Sequence, residues 1–270
     1  MRIVVCVKEV ADPDAVNSYA VAGRLAIGDD GRTLTQTAIT RLMNAYDEQA
    51  LEAALRLRDA GAECTIVAVT VSNAAAGVLK HAATLGADEL VAIAADEAER
   101  DGAGVAALLS AYVRYSGGAD LVLCGRQASD DDQGVVPATL GEVLGMPVVT
   151  IARAVEIAKA ESGSAVRVTR VTPDGDEVVQ APMPAVVTIS NELGQPRYPT
   201  AARSMAARRM QPAVVTAATL GVTTEDVRPR VSLQRMFVPV AQGSCEFIAG
   251  ESAAAIADDL AARLRAEQLI

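Results

Sequence analysis

Short apolar runs alternate with helix-length amphipathic segments over the first two-thirds of the chain, and no other feature of the sequence limits the fold as tightly. Ile3 to Val7 is a continuous apolar run of the kind that makes a strand buried on both faces. Thr65 to Val71, Leu90 to Ala94 and Leu121 to Cys124 repeat it. A helix opened by Asn44 follows the first run, after a polar stretch over residues 11–36. It carries an apolar stripe at Ala50, Leu51, Ala54, Leu55 and Leu57 and an i,i+4 pair at Glu52 and Arg56. Further helices are expected over Ala74 to Leu85, stopped by Gly86, over Val105 to Tyr115, stopped by Gly117-Gly118, and over Pro137 to Leu144. Strands alternating with helices in this way predict an α/β fold: a doubly wound, three-layer parallel sheet with helices on both faces. Within the polar stretch, Val16 to Arg24 reads equally as a short amphipathic segment or an ordered loop.

Beyond Pro147 the pattern changes. Two β-rich runs flank Pro173-Asp174-Gly175, a turn signal that predicts a β-hairpin over about 164–181. Pro184 to Ser190 reads as another buried strand, followed by a loop with Arg197, Arg203, Arg208 and Arg209 close together. From Gln211 to Arg230 no period is sustained, which reads as an arm. The arm ends in an amphipathic helix capped by Ser252, with Ile256, Leu260 and Leu264 on one face and Asp259 paired with Arg263. The expected organisation is therefore an α/β domain over 1–210 and a C-terminal arm and helix over 211–270. A helix behind a long arm must cover its stripe, on its own domain or on another subunit.

The chain has 270 residues, 51% of them hydrophobic, enough for a core without metal or disulfide staples. With 24 basic against 34 acidic side chains its net charge is −10, which argues against a nucleic-acid surface. Cys6, Cys64, Cys124 and Cys245 lie far apart with no CxxC pair, and His81 is the lone histidine. A Cys/His metal site thus has too few ligands, and a histidine-based hydrolase would rest on a residue inside a helix. Cys6 and Cys124, each at a strand end, read as small buried hydrophobes. The apolar start is too short for a signal peptide and no run is long enough to span a membrane, so the expectation is a cytoplasmic protein with reduced thiols.

In an open parallel sheet, ligands bind beyond the carboxyl ends of the strands. Three segments fall there: Val7-Lys8-Glu9-Val10, Thr70-Val71-Ser72-Asn73, and the turn from Cys124 to Gly134. In the third, Gly125 and Gly134 allow close backbone approach, and the following helix start offers amides to an anion. The run Asp130-Asp131-Asp132 opposes a phosphate there, and by residue type alone an acidic solvated turn is the blander reading. Neither a P-loop nor G-x-G-x-x-G is present, nor a carboxylate pair suited to acid–base work. The residues describe a nucleotide-holding scaffold with a docking surface.

Taken together, several segments resemble the beta subunit of electron-transfer flavoprotein. They are Val7-Lys8-Glu9-Val10, Met43-Asn44-Ala45-Tyr46-Asp47-Glu48, Leu85-Gly86-Ala87-Asp88, and Gly125-Arg126-Gln127-Ala128-Ser129-Asp130-Asp131-Asp132. Pro184-Ala185-Val186-Val187-Thr188 leading to Gln195-Pro196-Arg197-Tyr198 completes the likeness, which runs in order along nearly the whole chain. The resemblance implies an adenine-nucleotide-binding fold that holds AMP without a redox role. It implies a heterodimer with an alpha subunit that carries the redox-active FAD, and docking of a flavin dehydrogenase donor of the acyl-CoA dehydrogenase kind. Carried over by position, the adenine and ribose contacts fall on Cys6, Asn44, Ala45, Tyr46, Asp47, Thr70 and Val71. The nucleotide loop comprises Gly125, Arg126, Gln127, Ala128, Ser129, Asp130, Asp131, Asp132, Gln133, Gly134, Val135 and Val136. A recognition loop spans about 184–206, with Arg197, Tyr198, Ala201, Ala202 and Arg203 facing a partner, and the C-terminal arm embraces the alpha subunit.

The departures from the family pattern carry information. Gln133-Gly134-Val135-Val136-Pro137 stands where Asn-Gln-Thr or Ala-Gln-Val is common, leaving phosphate contacts to backbone amides. Ala201 and Ala202 stand where an anchoring leucine is usual. Asp130-Asp131-Asp132 lacks the glycine of the Asp-Gly-Asp found in bifurcating members, which favours AMP. Two alternatives stay open: a bifurcating-type beta subunit with its own FAD and an NADH site in the complex, and a universal-stress-like nucleotide-binding regulatory module.

Overall fold

A computed structural model describes residues 1–95, 100–160, 163–239 and 245–270. The chain divides into two compact units, Met1–Met236 and Phe237–Ile270. The first unit runs β1 (Arg2–Cys6), β2 (Glu9–Ala11), α1 (Pro13–Val21), β3 (Arg41–Met43), α2 (Ala45–Asp59), β4 (Thr65–Val71), α3 (Ala76–Leu85) and β5 (Glu89–Ala94). It continues through α4 (Gly102–Tyr115), β6 (Leu121–Gly125), α5 (Val135–Leu144), β7 (Val148–Ala160), β8 (Gly163–Thr172), β9 (Gly175–Pro182), β10 (Ala185–Ile189), α6 (Ala201–Ala207) and β11 (Ala213–Thr216). The second unit contains α7 (Ala253–Ala266).

The main sheet has nine strands in the order β11-β5-β4-β1-β6-β10-β7-β8-β9. Its first seven strands are parallel and the last two antiparallel. Alternation along each strand divides the core. Ile3, Val5, Leu121 and Leu123 face α2 and α3, whereas Val4, Val122 and Cys124 face α4 and α5. This is the doubly wound, three-layer arrangement that the alternating pattern requires. Leu51 and Leu55 of α2 and Leu79 of α3 are fully covered on one side, and Leu108 and Leu140 on the other. Burial of each such side chain contributes about 2 kcal/mol. Among the described residues, no helix is long and apolar enough to cross a membrane.

Several elements depart from the sequence reading. The ambiguous stretch after Val10 contains helix α1, whose cap Asp12 accepts the Asp14 and Ala15 amides at 3.0 and 3.4 Å. Asp12-Pro13 carried that signal, since a capping carboxylate followed by proline at the first helical position starts a helix. A second, two-stranded ribbon pairs β2 with β3 and brings Lys8 beside Asn44. The hairpin is formed by β8 and β9, but β8 also pairs with the long strand β7, whose bulges opposite β8 and β10 disguise any period. Ala185–Ile189 is a wholly buried strand between β6 and β7, so after Pro184 the 184–206 segment is exposed again only from Asn191 onward. Finally, Ala213–Thr216 joins the sheet edge beside β5 and Val227 packs into the α4–α5 layer. Four residues are too few to show a period, which is why 211–230 reads as arm. Residues 240–244 of the arm fall outside the described residues.

Candidate functional site

Strand order reverses at β1: β4 and β5 lie to one side, β6 and β10 to the other. At such a switch point the loops leaving neighbouring strands diverge and open a crevice. Here the crevice is framed by the first turn of α2. Asp47 is buried, and its carboxylate accepts the Lys8 amide at 2.8 Å and the Gly125 amide at 3.1 Å, stapling the ends of β1 and β6 together. Burial pushes its pKa from 3.8 to about 7, against the opposing pull of those two amides. Asn44 sits at the N-cap position of α2 but makes no capping bond there. Its side chain instead holds the turn after β6, donating to the Gln127 carbonyl at 2.8 Å and accepting the Ser129 amide at 3.3 Å. Arg126 stacks over Tyr46, 5.2 Å from the ring centroid. The expected residues Asn44, Tyr46, Asp47 and Gly125 to Ser129 thus meet in one place, with Ala45 exposed beside them.

The acidic run has a structural explanation. Lys8 Nζ lies 2.8 Å from Asp130 and 3.5 Å from Asp131. Asp131 also accepts the Gln133 amide at 3.2 Å, and Asp132, at φ 53°, accepts Gln127 Nε2 at 2.7 Å. The carboxylates therefore build the loop, and Lys8 offsets part of their charge. Lys8 is the residue of this site that the position-by-position expectation left out; its place directly after the first buried run was the available signal. Gly134 opens α5 at φ 61°, and a Cβ there would meet the Arg126 carbonyl at 2.8 Å, so both conformation and space exclude a side chain. A glycine cap offers no side chain to the first amides of α5, and none caps them. An uncapped helix start offers free backbone donors to an anion, although the neighbouring turn keeps a net negative charge after its pairing with Lys8. Val135 is exposed and Val136 half-buried at that start. Cys6 pairs with Val69 in the neighbouring strand, and Thr70 and Val71 follow directly at its carboxyl end. Cys124 is covered, and its hydrogen bond with Cys6, together with burial, pushes its thiol well above the ordinary range, so it serves as packing. Among the described residues no His/Cys/Asp/Glu group is arranged to hold a metal ion.

The residues expected to face a partner separate into two sets. Arg197 turns inward, with Nε 2.7 Å from Glu52 and Nη2 2.7 Å from Asp59. Arg203 donates to the Leu85 carbonyl at 3.1 Å and lies against Gly86 at the end of α3. Neither guanidinium is displayed, and Arg208 and Arg209 are the exposed members of the cluster. Tyr198 is 78% exposed and Met205 66%, with Ala201 and Ala202 exposed between them. Met205 carried no signal in the sequence because short helix α6 shows no period. Within the C-terminal unit, Ser252 caps α7 by accepting the Ala255 amide at 3.2 Å, and Leu260 is 45% exposed.

Residues 33–220 match the family model described as Electron transfer flavoprotein domain. The chain is 31% identical to the Caffeyl-CoA reductase-Etf complex subunit CarD of Acetobacterium woodii over 276 residues, covering 100% of each. It is 31% identical to the Electron transfer flavoprotein subunit beta of Syntrophomonas wolfei, covering 81% of each. To the Acryloyl-CoA reductase electron transfer subunit gamma of Anaerotignum propionicum the identity is 33%, over 74% of this chain and 72% of that one. A doubly wound sheet, a family model matched over residues 33–220 and relatives matched over 74–100% of this chain agree: the chain belongs to the electron transfer flavoprotein beta-subunit family.

Proposed function

We propose that the chain holds AMP in the crevice between β1 and β6 and pairs with an alpha subunit that carries FAD, the two together passing electrons from a flavin dehydrogenase to a downstream acceptor. The observation that carries the nucleotide part is the start of α5, which has no side-chain cap and follows a turn where Lys8 pairs with Asp130 and Asp131. Phosphate would sit on the amides of Gly134 to Val136, with Gly134 leaving the backbone open to it. Adenine and ribose would lie toward Cys6, Thr70 and Val71, with Asn44 and Asp47 keeping the turn in register. The bound FAD supplies the redox chemistry; this chain's residues position and shield it. The exposed segment at 191–206 would receive a donor of the acyl-CoA dehydrogenase kind, and the stripe Ile256, Leu260 and Leu264 would cover part of the alpha subunit. The reading places the complex in the cytoplasm.

The names of two relatives support a second reading, since one belongs to a caffeyl-CoA reductase-Etf complex and another to an acryloyl-CoA reductase. In that reading the crevice takes a second FAD, and the complex delivers electrons to a reductase. The residue type supports AMP instead: Asp131 stands where the Asp-Gly-Asp of bifurcating members has glycine. The donor is tested by coexpressing the chain with its alpha subunit and adding an acyl-CoA dehydrogenase with its acyl-CoA under anaerobic conditions. Bleaching of the flavin absorbance is expected; a complex that stays oxidised at every dehydrogenase concentration contradicts the proposed donor.

A further inference from the structure

The segment expected to meet the donor is fastened to the helix that frames the crevice, and it is fastened by charge. Glu52 lies on α2 with its side chain only 6% exposed. It receives Arg197 three times, from Nε at 2.7 Å, Nη2 at 3.2 Å and the backbone amide at 3.3 Å. Arg56, one turn along, donates Nε to the same carboxylate at 2.9 Å. Its Nη1 and Nη2 reach the carbonyls of Leu193 and Gln195 at 2.8 and 3.3 Å. Asp59, a further turn on, takes Arg197 Nη2 at 2.7 Å. Burial alone would raise the Glu52 carboxyl, but Arg197 and Arg56 hold it below its ordinary value, so the carboxylate is charged across the neutral range. Eight residues separate Asn44 from Glu52, about 12 Å of helix. The fork geometry matters because two parallel bonds fix orientation as well as distance.

Resting on the reading above that residues 191–206 receive the donor, we infer that Glu52 and Arg197 are positioning residues for donor docking. They clamp residues 193–198 to α2, so that Tyr198 is presented on the same rigid body that frames the nucleotide turn. Arg197, half-buried against Glu52 and Asp59, acts through the segment it holds, and the donor meets the tyrosine it orders. The clamp also explains why an arginine beside an exposed tyrosine is not itself displayed. Releasing it lowers the fraction of molecules with the segment in place, and apparent affinity falls in the same proportion while bound complexes react normally.

The test uses the complex with the alpha subunit and compares wild type with Glu52→Gln, Arg197→Met and Arg197→Lys. Amide hydrogen exchange over 191–198 is read alongside the KM and kcat for butyryl-CoA dehydrogenase, reduced with butyryl-CoA. Glu52→Gln and Arg197→Met are expected to speed exchange in that segment about tenfold and to raise KM about tenfold with kcat unchanged. Arg197→Lys should recover part of both, and combining Glu52→Gln with Arg197→Met should add little, because one interaction is lost either way. If Arg197→Met fails to assemble, Glu52→Gln and Arg197→Lys carry the comparison. Unchanged exchange in Glu52→Gln overturns the clamp, and faster exchange with unaltered KM overturns its role in docking. A wild-type complex that the dehydrogenase does not reduce counts against the donor assignment itself. In that case the exchange data alone decide whether the clamp orders the segment.

Discussion

Asp47 concentrates the physics of the site in one carboxyl group. It joins two strand ends through the Lys8 and Gly125 amides while its own burial raises its pKa from 3.8 to about 7. The folded chain therefore keeps the proton at pH values where the unfolded chain has released it, and between about 4 and 7 the contribution of Asp47 to stability declines as pH rises. Asp47→Asn cannot titrate, so urea unfolding at pH 5, 6 and 7 should show a slope shallower by up to about 1.4 kcal/mol per pH unit. An unchanged slope would mean that the carboxyl is not the group responsible. Gly134 is the second decisive position. Gly134→Val must place a branched residue at φ 61° against the Arg126 carbonyl, at a cost of about 2 kcal/mol or more. The variant should fold, as judged by its thermal transition, yet release no nucleotide on denaturation. Retention of the nucleotide would place the phosphate elsewhere.

Among elements, the parallel strands and their covering helices were legible because each is a continuous apolar run or a 3.6-residue stripe. Residue type pointed to Asn44 as a helix cap and to Asp47 as a first-turn charge, and only the fold showed Asn44 bonded to a turn some eighty residues on and Asp47 to the ends of β1 and β6. The inward turn of Arg197 was illegible for the same reason, since Glu52 lies 145 positions away. Bulges hid β7, and brevity hid β11, because each removes the alternation that a strand leaves in sequence. Helix α7 was legible, and its half-exposed stripe makes a prediction. Leu260→Asp should leave the unfolding of residues 1–236 unchanged and weaken copurification with the alpha subunit at least about thirtyfold, as expected when an interface anchor is lost. Full recovery of the complex would show that the stripe covers something else.

At the scale of the whole molecule, these observations describe a subunit whose parts look outward. The start of α5 at the switch point has no side-chain cap, Tyr198 and Met205 stand in solvent, and α7 keeps its apolar face half-exposed. Among the described residues no His/Cys/Asp/Glu group is arranged to hold a metal ion. The central claim is that the crevice belongs to an adenine mononucleotide and the flavin to the other subunit. The most direct test is chromatography of the nucleotide released from the chain purified without its alpha subunit, together with the visible spectrum of the intact protein. A colourless protein that releases about one AMP per chain is the predicted result; a yellow protein yielding FAD, or one yielding no nucleotide, would contradict it.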